Sequence, residues 1–226
     1  MNSRNQSFSY KQLLSAIIVN SLVITPLLTV GSVHAEPIVA NPDNKSLLLE
    51  VERGEDPATG LKYWLWDHDG FFLRLTQRLP DQTRAYFEAR GFNQASAEIL
   101  ATSCIFQTMV KNSGRDPGQI VNAKLSDWQV VSDGKRQPML LREHWRKTWQ
   151  QNKLPESALI ALEWSLLPSQ IIYDINDYNW GMSSYGLPPG SSFDLIFNWT
   201  RNGKSYQGRI NDVICAEDIH LDPPRQ

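Results

Sequence analysis

The chain has only two cysteines, four histidines and four methionines in 226 residues, and no surplus of either charge, with 22 basic against 24 acidic side chains. Each shortage disfavours a class of function. Cys104 and Cys215 lie far apart in sequence, so there is no Cys-x-x-Cys dithiol, which speaks against a thioredoxin-like redox role. Both charges are interspersed, leaving no basic track for nucleic acid or anionic lipid. No histidine spacing matches His-Glu-x-x-His or another zinc pattern, and Met109, Met139 and Met182 are too scattered for a methionine-rich copper site. Glycine-rich phosphate loops and dinucleotide fingerprints are missing as well.

What is present begins with an export signature. Arg4 and Lys11 precede an apolar stretch running from Leu13 through Ile17, Val19, Leu22 and Leu28 to Val30, and no acidic residue interrupts it. Gly31-Ser32-Val33-His34-Ala35 then supplies the small residues that a signal peptidase accepts, so cleavage is expected between Ala35 and Glu36. The alternative is an uncleaved anchor, because the stretch approaches the roughly 20 apolar residues that span a bilayer. Asn20, Ser21 and Pro26 weaken that alternative, and no later stretch is long and apolar enough to cross. Without Arg4 and Lys11, 20 basic residues face 24 acidic ones, a formal charge of −4. Export to the periplasm or beyond places the two cysteines in an oxidising compartment, where a Cys104–Cys215 disulfide is expected.

Residues 36–46, with Pro37, Pro42, Asp43 and Asn44, read as a flexible leader. A single domain is expected over 47–217 and a disordered tail over 218–226. Leu47 to Val51 and Leu61 to Trp66 have strand composition around a Gly54–Gly60 turn, an opening hairpin. Pro80-Asp81 opens a helix that Gly91 closes, and Asn93 caps a second one carrying Ala97, Leu100, Cys104 and Thr108 to about Lys111. Ile120 to Ala123 and Trp128 to Val131 read as strands, with Asp133-Gly134 turning the chain. Leu141, Trp145 and Trp149 recur every four residues on an amphipathic helix, and Pro155-Glu156 opens a further apolar helix or strand.

The clearest local pattern lies near the end of the chain. Phe193, Leu195, Phe197 and Trp199 alternate with polar residues up to Asn202-Gly203, the strongest short-range hairpin signal, and Tyr206 to Val213 returns. Cys215 follows it. The expected fold is therefore α+β: an antiparallel sheet or sandwich containing this C-terminal β-hairpin, packed with a helical hairpin and closed by one disulfide.

Two groups of residues are candidates for a site. Trp64 and Trp66 share one face of a strand, and Trp180 and Tyr185 stand in what reads as a long aromatic, glycine-rich connection, so the four could form a binding surface. Asp67, His68 and Asp69 form the densest polar cluster and could hold a metal or act in hydrolysis; the bland reading is a turn with Gly70. Gly181-Met182-Ser183-Ser184-Tyr185 fails as a nucleophile elbow because Tyr185 replaces the second glycine. The reading that follows is an exported periplasmic binding or accessory protein rather than an enzyme, contacting a protein partner or small ligand in the cell envelope. The alternatives are a small metal-binding or hydrolytic protein at Asp67–Asp69 and a structural subunit of an envelope complex. No cofactor is indicated by any motif.

Overall fold

The computed structural model describes residues 51–219. Its first strands follow from alternation of apolar and polar side chains. β1 (Glu52–Glu55) and β2 (Lys62–His68) pair antiparallel around a turn in which Asp56 accepts from the Ala58 and Thr59 amides. β3 (Phe71–Gln77) follows at once, because Asp69 and Gly70 both take positive φ, as a two-residue hairpin requires. An opening hairpin is thus present, its first strand reaching to Glu55, into the expected turn; Leu47 to Glu50 lie outside the described residues.

α1 (Pro80–Glu88) and α2 (Gln94–Ala101) form the expected helical hairpin, with Gly91 at φ 89° between them. Asn93 caps α2 by accepting from the Ser96 amide at 2.8 Å. α1 begins at Leu79, whose amide donates to the Gln82 side chain, while Asp81 serves an ion pair with Arg84 instead of a cap. The second helix stops ten residues short of the expected end at Lys111. Cys104 has φ 52°, which breaks the helical path, and β4 (Ile105–Asn112) takes over. Its Ile-Phe-Gln-Thr-Met-Val run carries the branched and aromatic side chains that favour a pleated surface over a helix.

β5 (Val121–Lys124), one turn of 3-10 helix at Leu125–Asp127 and β6 (Gln129–Ser132) make an interrupted strand, and β7 (Lys135–Pro138) returns from the Asp133-Gly134 turn. α3 (Arg142–Gln151) and α4 (Glu156–Ser165) come next, joined by Arg146 to both Glu163 oxygens at 2.6 and 2.5 Å. β8 (Gln170–Tyr173) and β9 (Tyr178–Ser184) precede the predicted hairpin of β10 (Ser192–Arg201) and β11 (Lys204–Ile214). Sheet A runs β1-β2-β3-β4-β9, and sheet B runs β7-β6-β10-β5-β8 with β11 on the other side of β10.

The two sheets face each other over one apolar core. Phe71 stacks on Trp199 at 4.8 Å, Trp66 meets Phe197 edge-on at 5.2 Å, and Phe106 meets Phe193 at 6.1 Å. A second core lies under the four helices, where Phe87, Phe92, Trp145, Trp149 and Leu162 surround Ile105 and Met182 of sheet A. Cys104 and Cys215 are bridged, with Cα atoms 5.3 Å apart, so the start of β4 is tied to the end of β11. Arg84 anchors the segment after the bridge through Asp218 at 2.5 Å while also holding Glu98 of α2. The carboxylates around that guanidinium hold it in its charged form still more firmly than usual. No helix among the described residues is long and apolar enough to cross a membrane.

Candidate functional site: the outer face of sheet A

Side chains on a strand alternate between faces, so the ladder register fixes what each face of sheet A presents. Trp64, Trp66, Phe71, Leu73, Leu75, Phe106 and Val110 point into the sandwich and are buried. Their neighbours point the other way. Leu65, Arg74, Met109 and Trp180 are successive partners across β2, β3, β4 and β9, and Asp67, Phe72, Lys111 and Tyr178 form the parallel row beside them.

The helices cover one end of this outer face, at Ile105 and Met182. Beyond them no described element lies on it. Leu65, Phe72 and Met109 are only half-buried, while Tyr178 is 61% and Trp180 65% exposed. The outer face of sheet B carries mainly polar side chains, among them Asn122, Lys124, Asn198, Thr200, Gln207 and Arg209, with Ile172 exposed in the same row as Asn122. Aromatic and apolar side chains gathered on an open sheet face make it a candidate contact surface.

Charged groups lie within the face as well as at its border. The Arg74 guanidinium lies 4.5 Å from the Tyr63 ring centroid and 4.0 Å from Asp56. Tyr63 donates its hydroxyl proton to Glu52 at 2.8 Å, a bond that raises its pKa above the ordinary phenol value. Asp56 accepts from the Thr59 hydroxyl and the Ala58 amide, which hold its carboxyl below the usual carboxylate range. Arg74 and Lys111 alternate with the apolar side chains in the two rows, so the face mixes cationic with aromatic and aliphatic groups.

Of the four aromatic residues expected to form a surface, the structure leaves one outside. Trp64 and Trp66 are core residues because their strand parity turns them toward sheet B, and Tyr185 is wholly buried between Phe106 and Phe193. Burial pushes the Tyr185 hydroxyl pKa well above its usual value, and that oxygen accepts from Ser183 at 3.0 Å. Trp180 is exposed, but on a strand rather than in the expected loop.

Asp67, His68 and Asp69 stand at the end of β2 and in the turn that follows. Alternation puts Asp67 on the outer face, where it accepts from Ser113 at 2.5 Å, and puts His68 against the Trp66 ring at 5.0 Å. Asp69 occupies the positive-φ turn position. Among the described residues no three metal-ligating side chains converge. All three nevertheless line one open cleft of about 380 Å³, together with Arg115, Asp116 and Arg201.

The residues missed were Phe72, Met109 and Tyr178. Tyr178-x-Trp180-x-Met182 alternates like a strand, a pattern obscured by Gly181 and the glycines that follow. Gly181 is needed there: a Cβ would stand 2.8 Å from the Leu167 amide nitrogen, where the chain after α4 crosses β9.

No family model matches the chain, and no curated protein matches it in sequence. One solved structure, a candidate lipoprotein from Bacillus subtilis, aligns with a TM-score of 0.30 and 9% identity over 72% of this chain. The aligned part covers 38% of that protein. A likeness of this size carries no argument, and the site stands on this chain's own geometry.

Proposed function

We propose that the protein is an exported accessory factor of the cell envelope that docks a protein partner on the outer face of sheet A, centred on Met109 and Trp180. The observation that carries this reading is the pair of cross-strand rows, Leu65-Arg74-Met109-Trp180 and Asp67-Phe72-Lys111-Tyr178, on a face that no described element covers. A broad, flat, mostly apolar patch suits another protein better than a small molecule, which needs a concave pocket.

Export is supported by the basic and apolar order of the first 35 residues and by the Cys104–Cys215 bridge, a linkage that persists in oxidising compartments. Cleavage between Ala35 and Glu36 belongs to the same proposal. Fractionating the producing cells and sequencing the N-terminus of the mature protein tests it, and a cytoplasmic, uncut chain would refute it.

The docking reading is tested by placing a photo-cross-linking amino acid at Phe72 and, in a second strain, at Asn198 on the outer face of sheet B. One discrete adduct at Phe72, absent at Asn198, is expected. Equal labelling at both positions, or none at Phe72, sinks the reading.

A further inference from the structure

Sheet A has two edges, and they are finished differently. β1 carries Glu52, Arg53 and Glu55 in four residues, the charged dressing that discourages an added strand. β9 carries none in Tyr178 to Ser184. Its even-numbered residues turn their main-chain groups away from β4: the Met182 carbonyl accepts from the Leu167 amide at 2.8 Å, and the Ser184 carbonyl accepts from the Leu140 amide at 3.0 Å. Tyr178 and Trp180 have the same orientation by alternation, and no described residue bonds to their outward groups. The open stretch carries two exposed aromatic side chains, Tyr178 and Trp180.

We propose that a second copy of this chain fills the gap, with two β9 strands pairing antiparallel about Asn179. In that register Tyr178 of each copy faces Trp180 of the other, and each pair exchanges both of its main-chain hydrogen bonds. The fit is self-complementary in length and charge. Asp177 meets Gly181, so no like charges oppose one another, and the added strand ends where its own turn, closed by the Asp177 amide on Asp174 at 3.1 Å, leads away. On the other side Leu166 and Leu167 already occupy the edge. Because β1 is guarded by charge, pairing stops at two copies, a closed two-fold dimer instead of a fibre. The pairing does not depend on the docking of another protein; it joins the outer faces of two sheets into one.

Sedimentation velocity on the purified exported protein, from about 1 to 200 μM, reads the result, a range that brackets weak interfaces. A monomer–dimer equilibrium is expected in the wild type. Trp180→Pro removes the indole and also an outward N–H, a loss that an edge strand tolerates, and should weaken the dimer at least about tenfold with the melting temperature little changed. Trp180→Ala keeps that N–H and should weaken it less. Asn179→Cys puts the only unbridged thiol of the described residues on the two-fold axis, and oxidation should link the copies. A monomer throughout the range, a dimer indifferent to Trp180→Pro, or no linkage in Asn179→Cys overturns the proposal. So does a dimer that appears only after residues 1–50 are removed, which would make the chain's own leader the occupant. A monomer that still cross-links at Phe72 refutes this pairing alone and leaves the docking reading standing.

Discussion

Met109 and Trp180 are direct partners in the β4–β9 ladder, side by side on the part of sheet A's outer face that the helices leave open. Their positions decouple binding from stability. Trp180→Ala removes a side chain that is mostly in water, so the unfolding free energy should change by less than about 0.5 kcal/mol. Cross-linking from Phe72 to its partner should nevertheless fall sharply. A urea titration beside the cross-linking assay separates the two, and a large loss of stability would mean that the indole serves the core.

Asn112 offers the opposite case. Its side-chain amide donates to the Gln119 carbonyl at 2.6 Å and the Tyr173 carbonyl at 3.1 Å, while its oxygen accepts from the Gly114 amide. It is wholly buried and binds the end of β4 to two loops. Asn112→Ala leaves these groups without partners and should cost about 2 to 4 kcal/mol, measured by denaturant midpoint.

Gly181→Ala should lower the melting temperature, because the new methyl would meet backbone atoms of Leu166 and Leu167 rather than a flexible side-chain end. A cost of about 1 to 3 kcal/mol is expected. An unchanged melting curve would show that the chain after α4 can move away from β9 at little cost.

Reduction of the Cys104–Cys215 bridge opens a loop with a sequence separation of 111. The chain-entropy model gives about 4 to 5 kcal/mol for a loop of this length. The Cys104→Ser, Cys215→Ser pair should therefore unfold at markedly lower urea, and mass spectrometry of the native exported protein should find no free thiol.

Alkali should unfold the protein through its buried phenols. Burial raises the pKa of Tyr185, and also of Tyr173, above the unfolded value of about 10. Below that value both states are protonated and stability is intact; above it the unfolded chain releases protons that the folded chain retains, so stability falls as pH rises toward the folded values. Tyr185→Phe should flatten the decline between about pH 10 and 12, as followed by circular dichroism.

The C-terminal hairpin and the disulfide were legible because each rests on a local or chemical rule: Asn202-Gly203 between alternating strands, and two cysteines in an oxidising setting. The helical hairpin was legible from Asn93 and Gly91. Its true end was not, since Leu100 to Lys111 carries apolar residues at both helical and strand spacings, and only tertiary pairing with β3 and β9 decides. The same limit hid the site. Trp64 and Leu65 have equal claim to the surface on composition, and which one is buried depends on where sheet B lies. Asp67, His68 and Asp69 were legible as a polar cluster at a turn, and they do share one cleft, but adjacency in sequence could not show that Arg115 and Arg201 line it too.

The bridge between Cys104 and Cys215 also decides how the chain responds to tension. A pulling force applied outside the loop passes through the sulfur–sulfur bond and bypasses everything between the two cysteines, including β4, β9 and the β10–β11 hairpin. At roughly 3.5 Å per extended residue, some 400 Å of chain is thereby withheld from stretching. Only β1 to β3 with α1 and α2 can be drawn out, so a protein held at a strained envelope would lose its first three strands while the β4–β9 pairing, and Met109 and Trp180 with it, stays shielded from the load.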